Sequence, residues 1–156
     1  MEQSKRLKQI RKQVFLLGFF KIPMLWFVRP KVVSIDKNEC VVKIRLRRRT
    51  KNHVRSMYFG AMAVGADLSA GLHTFYFAEQ DQNRMHFVFK SMDCQFLKRA
   101  ESDVLFISRE GDKIQAAVQK ARESGERQNQ EVQVEGVDMQ QEVVATFKMV
   151  VSVKFK

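Results

Sequence analysis

Between Met57 and about Phe77 the chain carries no proline, and from Met57 to Leu72 its only charged residue is Asp67. The run is too long for a strand, and its small and apolar residues point to every side of the helix it predicts. A helix that is apolar all round has to be enclosed. The rest of the chain must therefore supply a layer that covers it.

The flanking sequence has the alternation such a layer needs. Val32–Ile35 is expected to be a short strand, followed by a turn at Asp36-Lys37-Asn38-Glu39. In the next strand Val42, Ile44 and Leu46 alternate with Lys43, Arg45 and Arg47. Residues 48–56 read as a polar loop, and His86–Leu97 and Ser102–Ser108 as two strands. Gly111–Ser124 is expected to be a helix with Ile114, Ala117, Val118 and Ala121 on one side. Its Lys120 and Arg122 lie near the C-terminal end, where cations are favourable. Val143, Ala145, Phe147, Met149, Val151, Val153 and Phe155 form the apolar face of a last strand. Val132 and Val134 partner it across a turn at Gly136-Val137-Asp138. The expected fold is α+β: about six antiparallel strands curled around a central helix at about 57–77, in one domain over residues 1–156. Runs of strands argue against a parallel Rossmann sheet, and no GxGxxG, Walker or GxSxG sequence is present.

Charge is concentrated at the start. Residues 1–55 hold 16 Lys/Arg against Glu2, Asp36 and Glu39, whereas residues 56–156 hold 12 against 14 acids. Such a basic third favours an anionic partner: a nucleotide-bearing cofactor, an acidic carrier protein, a nucleic acid or a membrane surface. Lys5, Arg6, Lys8, Arg11 and Lys12 precede an apolar run, Val14 to Phe20, but no small-x-small cleavage site follows. Lys21 and Pro23 break the apolar stretch well short of the about 20 residues that cross a bilayer. Leu7, Ile10, Val14 and Leu17 fall on one stripe, so residues 1–28 are expected to begin with an amphipathic helix that closes over the domain. The same basic helix makes a membrane surface an admissible partner. Cys40 and Cys94 have no CxxC spacing and no neighbouring histidine, and read as small core residues of a reduced, cytoplasmic protein without a metal site.

Asp67 is the residue most in need of a reason. An ionised carboxylate in an apolar helix is costly unless it is hydrogen-bonded, protonated or open to a pocket. Its helical neighbours are Gly60, Ala63, Ala70 and Gly71, a groove of small side chains. The groove either admits a ligand or packs the sheet, with Asp67 holding a buried polar group. His53 and His73 flank the helix and read as structural histidines.

Asn52, the helix start at Tyr58-Phe59-Gly60, and Asp67 fifteen residues after Asn52 resemble the pattern of PaaI-like hotdog-fold thioesterases. The nearest likeness is to a large group of uncharacterised bacterial hotdog domains. It extends to Ile22-Pro23-Met24-Leu25-Trp26-Phe27 and to Leu46-Arg47-Arg48-Arg49-Thr50-Lys51. In that family an Asn precedes the helix, His-Gly-Gly opens it, and an Asp or Glu lies within it. Tyr58 and Phe59 replace the His and first Gly here.

The resemblance implies hydrolysis of acyl thioesters. Asp67 would act as general base or nucleophile, and Asn52 would orient the carbonyl or the attacking water. The N–H groups of Phe59 and Gly60 would receive the oxyanion, beside Tyr58. Coenzyme A enters as part of the substrate, without a further cofactor; Arg47, Arg49 and Arg55 are candidates to hold its phosphates, with Lys98 and Arg99 as a second set. An acyl carrier protein is the alternative carrier. The helix start and Asp67 are about 13 Å apart at ~1.5 Å per residue, so one carbonyl needs both ends from different subunits of a homodimer, or of a tetramer built from it. A non-catalytic acyl-thioester or lipid binder is the competing reading, because Tyr-Phe replaces His-Gly. Nucleic acid is disfavoured, since no aromatics interleave with the arginines.

Overall fold

The computed structural model describes residues 2–156. Helices α1 (Glu2–Phe20) and α2 (Pro23–Val28) lead into strands β1 (Lys31–Ile35) and β2 (Cys40–Ile44). A 3-10 turn at Arg48–Thr50 precedes the central helix α3 (Phe59–Ala78). Then come β3 (Met85–Phe96), β4 (Val104–Ser108), helix α4 (Gly111–Ser124), β5 (Gln128–Asp138) and β6 (Val143–Phe155). The six strands form one antiparallel sheet in the order β1-β2-β4-β5-β6-β3. With α3 lying along its inner face, this is the hotdog fold. No helix among the described residues is long and apolar enough to cross a membrane.

The core follows from the alternation. Phe147, Met149, Val151 and Val153 of β6, Val132 and Val134 of β5, and Val104 and Phe106 of β4 are buried against Met62, Ala66 and Ala70 of α3. Gly65 lets the helix meet the sheet: a Cβ there would stand 2.3 Å from the ring of the fully buried Phe106. Ile114, Val118 and Ala121 of α4 close the C-terminal end of α3. A second cluster joins Val14 of α1, Leu25 of α2, Val32 and Ile35 of β1, and Leu68 of α3, with Leu7, Ile10 and Leu17 half-buried beside it. The inward stripe expected of the N-terminal helix is the one it uses.

Three local expectations need correction. β2 ends at Ile44 because Asp103 accepts the Leu46 N–H at 2.9 Å, and Thr50 bonds the Arg45 carbonyl and the Arg47 N–H. These side-chain bonds replace the ladder, so Leu46 does not extend the strand. The β5–β6 turn lies at residues 139–142, where the Asp138 carboxylate accepts the Gln140 and Glu142 N–H groups. Gly136 stays within β5, against Phe106. A bulge beside Gly136 turns Val143 outward and Val144 inward. Cys40 is buried, with its thiol pushed up to about 12 chiefly by that burial, whereas Cys94 is half-buried on β3.

The largest departure concerns enclosure. Ala61, Met62, Gly65, Ala66, Leu68, Ser69 and Ala70 of α3 are covered, but Gly60, Ala63, Val64 and Asp67 are only partly so. One stripe of the central helix stays open to the outside.

Candidate active site

The start of α3 is set by the segments around it. Met57 N–H donates to the Ala100 carbonyl and Tyr58 N–H to the Thr50 carbonyl, both at 2.8 Å, so the helix begins at Phe59 rather than Met57. The N–H groups of Phe59 and Gly60 meet no acceptor among the described residues. Unsatisfied donors at a helix N-terminus suit an anion or an oxyanion. The Tyr58 ring lies over Gly60, where a Cβ would come 2.5 Å from it, and Phe59 is 59% exposed and tilted against Tyr58. The two aromatic rings therefore flank the approach to these donors.

Asn52 shapes the loop before the helix. Its Oδ1 accepts the N–H groups of Val54 and Ser56 at 3.1 Å, and its Nδ2 donates to Ser56 Oγ at 2.9 Å. This short turn holds Arg55 in the left-handed region, at φ 64°. Asn52 nevertheless lines a cleft of about 400 Å³ with Ser56, Phe59, Phe96, Lys98 and Arg99. Asn52, Phe59, Lys98 and Arg99 are thus brought together within one chain.

Asp67 lies elsewhere on the molecule. It sits half-buried on the open stripe of α3, with no hydrogen bond or ion pair among the described residues. Burial holds its carboxyl pKa above the ordinary value. The eight residues from Phe59 to Asp67 correspond to about 12 Å along the helix axis. One chain leaves its free donors and its perturbed carboxylate apart.

The cations divide into two kinds. Lys98 is bound to Glu142 and lies 3.5 Å from Asp138, and Arg99 pairs with Glu101 at 2.8 Å. Arg47, Arg48, Arg49 and Arg55 are exposed and, among the described residues, have no carboxylate partner. His73 is buried between Ser108 Oγ at 3.0 Å and the Asp36 carbonyl at 3.1 Å, with its pKa lowered mainly by burial. It is a satisfied core residue. Ser91 on β3 lies on the outer face, because a bulge at Lys90 pairs it with Val150. β3 is an edge of the sheet, and Val88, Met92 and Phe96 stand exposed along it. Among the described residues no three His, Cys, Asp or Glu side chains converge as metal ligands would.

A family model described as a domain of unknown function, DUF4442, matches residues 11–153. The chain belongs to the DUF4442 family. No curated protein matches its sequence. Among solved structures, a Pseudomonas aeruginosa protein of unknown function, described as a probable thioesterase, is 21% identical with a TM-score of 0.76, covering 93% of this chain and 95% of its own. A Chlorobaculum tepidum protein of unknown function is 9% identical with a TM-score of 0.81, over 96% and 97%. A mutant thioesterase from P. aeruginosa is 13% identical with a TM-score of 0.69, over 93% and 94%. At these identities the likeness establishes that this DUF4442 domain shares their fold.

Proposed function

We propose that the protein hydrolyses acyl thioesters, in a site shared between two subunits. The observation that carries this reading is Asp67: a half-buried carboxylate on the open stripe of α3, beside Gly60 and Ala63, with no hydrogen bond or ion pair among the described residues. A raised pKa brings a carboxylate nearer to neutral pH, where a general base is most effective. Asp67 takes a proton from a water that attacks the thioester carbonyl; the tetrahedral oxyanion then collapses to a carboxylic acid and expels the thiolate, which takes the proton back from Asp67. The Phe59 and Gly60 N–H groups of the second subunit receive the oxyanion, a contribution of about 3–4 kcal/mol per donor in comparable sites. Solved structures with this fold that are described as a thioesterase or a probable thioesterase lend the reading support.

The open edge of β3 favours the pairing this needs. An exposed apolar edge strand is a template for a second chain. Acyl-CoA is the preferred substrate, its phosphates held by Arg47, Arg49 and Arg55, which have no acids to release, ahead of Lys98 and Arg99, which do. A carrier-protein thioester is the alternative. A second reading, a binder of acyl thioesters without turnover, draws on the Tyr58 ring over Gly60, which narrows the route to the oxyanion donors.

Light scattering and an acyl-CoA panel of graded chain length test both readings. The wild type is expected to be a dimer with hydrolytic activity, and Asp67→Asn to lose ~10²-fold or more of kcat while remaining a dimer. Replacing Arg47 and Arg49 by Gln should raise KM with little change in kcat, and only for substrates that carry the nucleotide. A wild type that binds acyl-CoA but hydrolyses no chain length, with Asp67→Asn binding equally well, would leave the binder standing.

A further inference from the structure

α1 is apolar on two sides. Leu7, Ile10, Val14 and Leu17 face the body, while Phe15, Leu16, Phe19 and Phe20 stand in solvent, Phe20 with 72% of its surface exposed. Met24, Trp26 and Phe27 of α2 continue that outer surface. The rings make one patch: Phe15 and Phe19 each lie 5.4 Å from Trp26, and Phe19 is 4.9 Å from Phe20. A helix that is hydrophobic on both sides is ordinarily covered on both. Contiguous exposed apolar surface of this kind marks a place of interaction.

Cations fringe the patch. The Arg29 guanidinium lies 5.0 Å over the Trp26 ring and that of Arg49 lies 5.8 Å over Phe27. Lys12, one turn before Phe15 and Leu16 on α1, and Lys21, directly after Phe20, are both exposed. The chain has no acidic residue between Glu2 and Asp36. Among the described residues none of these four cations has a carboxylate partner, and Lys43 is the only basic residue before position 56 that does.

We propose that the outer face of α1 and α2 docks on an anionic lipid bilayer, with the aromatic rings in the headgroup–acyl boundary and the fringing cations on the lipid phosphates. An acidic protein would satisfy the cations, but it would need a hollow matching the protruding rings. A bilayer accepts convex rings without a preformed hollow and sets its anionic groups at the level of the cations. Neither helix is long and apolar enough to span, so both lie in the plane of the interface. The proposal shares only Arg49 with the hydrolase reading, and the variants that test it leave Arg49 unchanged.

Trp26 is the only tryptophan, and it reports on the patch directly. The full-length protein is mixed with vesicles of phosphatidylcholine alone or containing phosphatidylserine. Cosedimentation and a blue shift of Trp26 emission are expected only with the anionic vesicles, both weakening as salt rises. Phe20→Ser with Met24→Ser alters side chains that already stand in solvent, so the fold is retained, and should reduce binding about tenfold or more. Lys12→Gln with Lys21→Gln and Arg29→Gln should do the same on anionic vesicles. Three outcomes overturn the proposal. One is no shift and no cosedimentation at low salt. Another is equal binding of vesicles and of polyglutamate, indifferent to Phe20→Ser, which reduces the surface to charge alone. The third is a lipid-free emission shift that grows with protein concentration and vanishes in Phe20→Ser, which assigns the patch to a second copy.

Discussion

The two sides of α3 are treated in opposite ways. On the side toward the sheet every polar group has a partner: Ser69 Oγ donates to the Cys40 carbonyl at 2.9 Å, Thr74 Oγ1 to the Ala70 carbonyl at 2.9 Å, and His73 joins Ser108 to the Asp36 carbonyl. On the open side Asp67 has none among the described residues, although it is half-buried and its carboxyl is held above the ordinary range. Unpartnered buried polarity is destabilising. A helix that satisfies the polar groups it turns toward the sheet and leaves this carboxylate unmet separates structural polarity from polarity available for chemistry.

Substitutions on each side sharpen or break that contrast. The largest loss of stability is expected from Gly65→Ala. Its new Cβ meets the buried Phe106 ring, and overpacking at such a site costs about 3 kcal/mol, measurable by urea unfolding. A change within error would mean that the helix–sheet contact is looser than its geometry. Next is His73→Leu, which leaves Ser108 Oγ and the Asp36 carbonyl unpaired in the core, at a cost of about 2 kcal/mol. This site also has a pH signature. Burial lowers the pKa of His73, so its contribution is present above the ordinary histidine range and is lost as pH falls through the lowered folded value. His73→Leu should remove that part of the acid destabilisation.

The smallest effect has the opposite sign. Because the folded pKa of Asp67 is raised, the stability linked to its protonated form is present below the unfolded carboxylate pKa and is lost as pH rises through the folded one. Asp67→Asn should therefore raise the melting temperature slightly at neutral pH and have little effect in acid. A lower melting temperature at neutral pH would place Asp67 among the structural polar groups and dissolve the contrast between the two sides.

Regular elements were largely legible in the sequence. α4 occupies the Gly111–Ser124 span expected from its apolar stripe, and β6 keeps its odd-numbered residues inward from Ala145 to Phe155, because periodicity records which face meets the core. Errors gathered where a side-chain carboxylate bonds backbone N–H groups. Asp103 stops β2 from a position 57 residues away, and the Asp138 carboxylate moves a turn that Gly136 was expected to make. Neither effect leaves a periodic trace.

By itself, the sequence determined that an apolar helix at about residues 57–77 packs on an antiparallel sheet, that the N-terminal third is basic, and that Asp67 is an isolated charge. These are properties of composition and period, which act residue by residue along the chain. Only the tertiary structure decided that the helix keeps an open stripe and that, among the described residues, Asp67 lies on it without a partner and Lys98 and Arg99 are paired while the arginines before position 56 are not. Only the tertiary structure, too, left the outer rings of α1 and α2 in solvent. Coverage and pairing depend on which distant residues arrive beside a side chain, and that is set by the packing of the whole domain.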